Sequence, residues 1–179
     1  MNAVLRYSLL AIAFALLLCA MVVLRLGASA SGEVPRVQLN ADNIGPRQIE
    51  DLTSQSVPRD YAFAWQTMEQ ALEQNQPSLL DGYFTGTAKQ DLKDRVQSQI
   101  KSGLITRYED QGHKLEAIFY APAGDAMQLR DHAQLNVQVL DGSKVIYEEP
   151  LNIEYIVLMT PGADRWLVRQ MQVIPGEQP

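Results

Sequence analysis

Residues 129–148 read LRDHAQLNVQVLDGSKVIYE, and this stretch decides the fold. Leu129, Asp131, Ala133, Leu135, Val137 and Val139 alternate with Arg130, His132, Gln134, Asn136 and Gln138. Successive side chains of a strand point to opposite faces, so one face is mostly apolar and the other polar. Asp141-Gly142 follows, a pair suited to the positive φ angles of a tight hairpin turn. A returning strand is expected over residues 144–148. Another is expected over 151–159, where Leu151, Ile153, Tyr155, Val157 and Met159 share a face and Ile156 and Leu158 occupy the other.

The strand pattern extends both ways from this stretch. Residues 104–109 and 114–120 are strand-like and are joined across Asp110-Gln111-Gly112-His113, while Pro122-Ala123-Gly124-Asp125 makes a turn. Pro161-Gly162-Ala163-Asp164 turns the chain into a last strand over 165–174. Before residue 104 the period changes from two to nearly four. Tyr61, Trp65, Met68 and Leu72 form one stripe of a helix over 58–75, with Pro58 in its first turn. Asn75-Gln76-Pro77 breaks it, and residues 78–84 form a short helix or turn. Thr87 and Gln90 are spaced as a capping box for a third helix with Leu92, Val96 and Ile100 on its apolar side. Gly103 stands where the helix ends in a left-handed residue. Helices first and a strand meander afterwards predict an α+β domain over 58–175, with helices packed on a curved antiparallel sheet. Residues 31–57, punctuated by Pro35 and Gly45-Pro46, read as a linker, and 176–179 as a tail. Ile49 and Leu52 would suit a helical turn inside that linker, but a partly ordered tether is the simpler reading.

Residues 7–24, from Tyr7 to Leu24, read YSLLAIAFALLLCAMVVL, with Arg6 and Arg25 at the two edges and no charge between. Eighteen residues at about 1.5 Å each span roughly 27 Å, close to the hydrocarbon thickness of a bilayer. Residues 1–30 are therefore read as a transmembrane anchor. The alternative is a cleaved signal peptide ending at Ala28-Ser29-Ala30, which would leave a secreted or periplasmic protein. The length of the run and Arg25 between it and that site favour the anchor. Cys19 follows leucines in the middle of the run and does not resemble a lipobox cysteine. A short N-terminal tail favours a single-pass inner-membrane protein with its C-terminal domain outside the cytoplasm.

The remaining chain is acidic. Residues 31–179 carry 13 basic and 21 acidic side chains, a net charge of −8, which argues against nucleic acid as a partner. Cys19 is the single cysteine, so the domain can form neither an internal disulfide nor a thiolate metal site. His113 and His132 show no metal-ligand spacing. His113, following Gly112, reads as a solvated turn residue. His132 lies beside Asp131, but consecutive strand residues point apart, which removes the obvious dyad. No nucleophile elbow and no phosphate-binding glycine loop is present. No catalytic, metal or cofactor site is assigned on these grounds. Tyr61, Trp65, Tyr83, Phe84, Tyr155 and Trp166 read as core aromatics. Gln66, Gln70, Gln74, Gln76, Gln90, Gln97 and Gln99 read as solvated helix surface, with contact to a partner as the sharper alternative.

This order of elements, with Tyr61-Ala62-Phe63-Ala64-Trp65, Tyr83-Phe84 and Asp164-Arg165-Trp166-Leu167-Val168, resembles the nuclear transport factor 2-like (cystatin-like) superfamily. The resemblance covers residues 58–174. Gly103, Arg107, Tyr108 and Glu109, with the closing stretch from Arg165-Trp166 to Val173, are similar to its membrane-associated branches. Examples are the mitochondrial import-motor domains and the inner-membrane-facing domains of plastid and cyanobacterial division proteins. The resemblance implies a cone of helices on a bent sheet. Such layouts imply an accessory to an envelope transport, secretion or division complex, binding other membrane or envelope proteins or forming a homodimer through the sheet face. Its alternative implication is a small-molecule pocket of the isomerase or cyclase kind, which uses an Asp or His inside the cone. Tyr61, Asp81, Tyr83 and His132 are the candidates for that role, although no family active-site pattern can be laid on this chain.

Overall fold

The computed structural model describes residues 34–175. The expected anchor, residues 7–24, and the tail, 176–179, lie outside the described residues. Among the described residues, no helix is long and apolar enough to cross a membrane.

The elements run β1 (Val37–Asn40), α1 (Asp51–Glu73), a 3₁₀ helix (Pro77–Gly82), α2 (Gly86–Ser102), β2 (Leu104–Tyr120), β3 (Met127–Asp141), β4 (Lys144–Pro161) and β5 (Trp166–Ile174). The five strands form one sheet in chain order. Pairing is antiparallel from β2 to β5, whereas β1 runs parallel to β2 through Val37 opposite His113 and Asn40 opposite Glu116. The α+β expectation thus holds, with helices packed on the sheet, but the sheet is mixed rather than antiparallel.

The helical layer begins earlier than its periodicity suggests. Seven residues precede Pro58 inside α1, and they show little stripe because Leu52 is 81 % exposed while Val57 is buried. Hydrogen bonds from Ser54 Oγ to Asp51 O and from Ser56 Oγ to Thr53 O lie within those turns, and Pro58, expected in the first turn, falls inside the helix, where it has no N–H to donate to Ser54 O. The stretch read as linker supplies β1 and buries Ile44. Single apolar anchors without period are invisible to a pattern search. Tyr61, Trp65, Met68 and Leu72 are all buried, as their spacing requires. Asp60 is buried with them and fastens α1 to β5, its Oδ2 accepting from the Trp166 backbone N–H at 2.8 Å.

The α2 helix starts at Gly86 after Thr85, and the expected Thr87–Gln90 box does not form. Gln90 donates instead to Asp94 at 2.9 Å. Gly103 does end the helix in the left-handed conformation, at φ 73°. Gln99, expected on the solvated face, is buried and ties three elements together. Its Nε2 donates to Leu72 O at 2.6 Å and Asn75 Oδ1 at 2.7 Å, and its Oε1 accepts from Thr106 N–H at 2.9 Å.

Two strands are longer than expected. Residues 110–113 make no turn: Asp110 opposes Leu135 and Gly112 opposes Gln134, which leaves Gln111 as a bulge within one β2. Gly112 takes φ 137°, a value side-chain-bearing residues rarely adopt. Likewise 144–148 and 151–159 fuse into β4, with Pro150 where β5 is absent and the strand is an edge. The alternation of β3 holds from Leu129 to Val137. After it Leu140 rather than Val139 is buried, at a register shift against β4.

Candidate functional site

The inward face of β3 carries a carboxylate, Asp131, in a row of apolar residues, and it is completely buried. Burying a charge is costly unless it is paired and hydrogen-bonded. Two partners come from other elements. Tyr61 on α1 donates its hydroxyl to Asp131 Oδ2 at 2.8 Å, and His113 on β2 lies with Nδ1 2.8 Å from the same oxygen. The second ring nitrogen of His113, Nε2, is 2.5 Å from Asp110 Oδ2. The bulge is what makes this geometry possible. Without the extra residue, Asp110 and His113, three apart, would face opposite sides of β2; the bulge turns both toward one interior.

Aromatic rings close over the imidazole. Trp65, one turn after Tyr61, tilts against His113 with centroids 4.4 Å apart, and Tyr61 meets it edge-on at 5.7 Å. Trp65 also meets Tyr108 at 6.3 Å and Tyr155 at 5.7 Å. One further turn along α1 stands Glu69, and after it Glu73, which accepts from Arg107 Nε at 2.9 Å. Asp131 Oδ1, Trp65 Nε1 and Glu69 Oε1 are buried without a hydrogen-bond partner.

The electrostatics follow from this enclosure. Burial alone would lower the His113 pKa, but hydrogen bonds to Asp110 and Asp131 and the charges of both outweigh it, raising it to about 9. The ring is therefore a cation at neutral pH, donating from both nitrogens. Glu69 moves the other way from a normal carboxylate. Burial first, then the Asp110 charge, raises its pKa to about 8, so it stays protonated at neutral pH. Tyr61 is held well above the ordinary phenol value, by burial and then the Asp131 charge.

A second feature lies on the outward face of the sheet. Beside Gly112 a groove of about 540 Å³ crosses four strands. One lateral row across it runs from Lys114 to His132 to Glu154, and the next from Gly112 to Gln134 to Asn152, with Arg36 at the β1 end. His132 Nδ1 lies 3.0 Å from Glu154 Oε1. Among the described residues, Arg36 and Lys114 have no carboxylate partner, as is also true of the exposed Arg95, Lys101, Lys144 and Arg169 elsewhere, whereas Arg47, Arg59, Arg107, Arg130 and Arg165 each have one.

The candidates named from sequence do not converge. Tyr61 is in the buried chain. Asp81 is on the surface between Lys89 and Lys93, at 2.7 and 2.9 Å, and hydrogen bonds from the two ammonium groups hold its pKa at about 2. Tyr83 stacks on Phe63 with Arg165 over its ring. His132 faces outward with Glu154, so Asp131 and His132 do point apart. Sequence reasoning missed His113, read as a solvated turn residue but 2 % exposed, together with Asp110 and Glu69. A usable signal existed: an inward carboxylate at Asp131 demands a buried partner, and His113 is one of two histidines in the chain.

No family model matches this sequence, and no curated protein matches it. Among solved structures, it is similar to the intermembrane space region of chloroplast protein ARC6, with 10 % identity over 72 % of this chain and 98 % of that one, and a TM-score of 0.62. A putative dehydratase from the NTF2-like family of Streptomyces avermitilis gives 8 % identity over 64 % of this chain and 93 % of its own, at a TM-score of 0.44. A cystatin-like-fold protein from Nostoc punctiforme gives 11 % identity, 74 % and 98 % coverage, and a TM-score of 0.40. At such identities the likeness is one of fold, and it is the ARC6 region that carries it.

Proposed function

We propose that this domain is a non-enzymatic interaction or assembly module, held at a membrane by residues 7–24 and serving an envelope transport, secretion or division complex. The observation that carries the reading is the sealing of the interior acid–base groups. Tyr61 and Asp131 are fully buried, His113 nearly so, and they are bonded to one another, which fits a structural tie across α1, β2 and β3. Two cations without a carboxylate partner, Arg36 and Lys114, stand instead beside the groove on the outward sheet face. A tethered domain meets membrane partners at high effective concentration, so modest contacts there suffice. The ARC6 region, of the same fold, is a region of an intermembrane space, which is the kind of setting this reading gives the chain. The test is crosslinking of the full-length protein in its native membrane, with a form lacking residues 1–33 as control. Capture of a defined membrane or envelope protein that is lost on Arg36→Glu with Lys114→Glu supports the reading. A chain that captures none, or whose capture ignores both changes, overturns it.

A second reading, a small-molecule pocket of the isomerase or cyclase kind, is favoured by the three buried unpartnered atoms beside a charged imidazole. Ketosteroid-like and polyketide-like compounds would then raise the melting temperature of the protein but not that of Asp131→Asn. Equal shifts in both proteins, or none in either, remove this reading.

A further inference from the structure

The β3–β4 hairpin extends beyond the rest of the sheet. β5 pairs with β4 only from Glu154 to Pro161, so residues 144–153 have β3 on one side and an open edge on the other. Every residue from 141 to 150 is exposed. Three of them are apolar or aromatic and consecutive: Val145 at 40 %, Ile146 at 51 % and Tyr147 at 51 %. An open edge with such a run is a ready template for another strand.

The flanking charges say which strand. In the order Lys144-Val145-Ile146-Tyr147-Glu148-Glu149, a cation opens the run and two carboxylates close it. Laid antiparallel against itself, the segment sets Ile146 against Tyr147 of a second copy and Lys144 against Glu149 at both ends. A bulge puts the charges on one side of the sheet. Tyr147 opposes Val139 and Val145 opposes Leu140, so Ile146 is the extra residue. Lys144 then opposes Asp141, and Glu149 opposes Val137, four residues away on a β3 that keeps unbroken register with β2 over that stretch, even where burial passes to Leu140, and hence on one face. Without the bulge, residues five apart would point to opposite faces and the charges could not meet. Pro150, which has no N–H to donate, limits the pairing to this short segment. Lysine and glutamate on an edge ordinarily keep strands apart; here they cancel when two copies meet head to tail.

We propose that this edge of β4 pairs antiparallel with the same edge of a second copy of this chain, joining two sheets across a two-fold axis through the hairpins. The inference rests on the reading of the domain as an assembly module and names one partner, the chain itself. It places the contact at a sheet edge, separate from the outward-face groove.

Charge reversal tests it on the full-length protein in detergent, by sedimentation or by energy transfer between labelled copies. Lys144→Glu alone and Glu149→Lys alone each put like charges together at both ends and should weaken self-association about tenfold. The double variant, Lys144→Glu with Glu149→Lys, restores opposite pairs and should regain wild-type association. An equimolar mixture of the two single variants should also regain it, because an edge with carboxylates at both positions then faces an edge with ammonium groups at both. Circular dichroism melts of each variant should stay within a few degrees of the wild type, since the residues are exposed and the one new like-charge pair inside the hairpin, the Lys144→Glu carboxylate opposite Asp141, costs at most about 1 kcal/mol. A monomeric wild type, single variants that associate normally, or a double variant weaker than either single one overturns the proposal. If one of those results refutes the edge pairing while capture of another envelope protein persists, the assembly reading still stands.

Discussion

His113 shows how a single side chain couples the fold to pH. Its imidazolium donates into two carboxylates, and its pKa in the folded state stands at about 9 against an ordinary 6.5. A raised basic group contributes its full stability below the unfolded value and loses it as pH climbs to the folded one. That window is pH 6.5 to 9. Glu69 acts in the same direction. The folded protein keeps its proton up to about pH 8, whereas the unfolded chain releases it near 4.5, so stability also declines across that interval. The urea midpoint is expected to fall as pH rises, most steeply from 6.5 to 8, where the two windows overlap. His113→Gln should flatten the upper part, and a midpoint that rises toward pH 9 would contradict the assignment. Asp131→Asn removes the charge shared by Tyr61 and His113 and should cost about 3–5 kcal/mol in urea unfolding. Its second signature is a lower His113 pKa, read from the imidazole resonances. Asp131 could be placed inside from alternation alone. His113 could not, because a Gly-His pair following polar residues looks like a turn until the partner strand defines a bulge.

Beyond the shared apolar core, elements are also fastened to one another at a few polar or glycine-dependent points. Gly86 begins α2 at φ 57°, and a Cβ there would stand 2.8 Å from Arg169 O and 2.9 Å from Arg169 Cγ on β5. Gly86→Ala should therefore destabilise by about 1–3 kcal/mol. In a thermal melt that is a drop of about 2–4 °C per kcal/mol for a domain of this size. Gln99→Leu keeps the volume but leaves Thr106 N–H without its acceptor and removes the side-chain donor to Leu72 O and Asn75 Oδ1, for about 1–3 kcal/mol in urea unfolding. A Gln99→Leu protein as stable as the wild type would mean that these contacts are not maintained in solution. Both helices, the 3₁₀ segment and all the antiparallel strands were legible, since each carries its own period or turn residues. Strand fusions and β1 were not. Whether 110–113 turns or bulges depends on β3 continuing opposite it, and four residues of β1 carry no period long enough to recognise.

For the whole molecule, the strongest expectation concerns residues 1–30. An uncleaved anchor keeps the chain in the membrane pellet through an alkaline carbonate wash, while a processed signal peptide releases it; immunoblotting of pellet and supernatant decides. The sequence by itself determined the amphipathic stripe of α1, the alternation of β3, the hairpin at Asp141-Gly142 and the acidic balance of the domain. All of these reside in neighbouring residues, where side-chain geometry and backbone preference act locally. Only tertiary structure decided that the sheet is mixed, that Gln99 is a core bracket, and that Tyr61, His113 and Asp131 share one oxygen. Those outcomes depend on which distant groups lose water together. Burial makes a lone carboxylate intolerable, and the fold answers with partners 70 and 18 residues away.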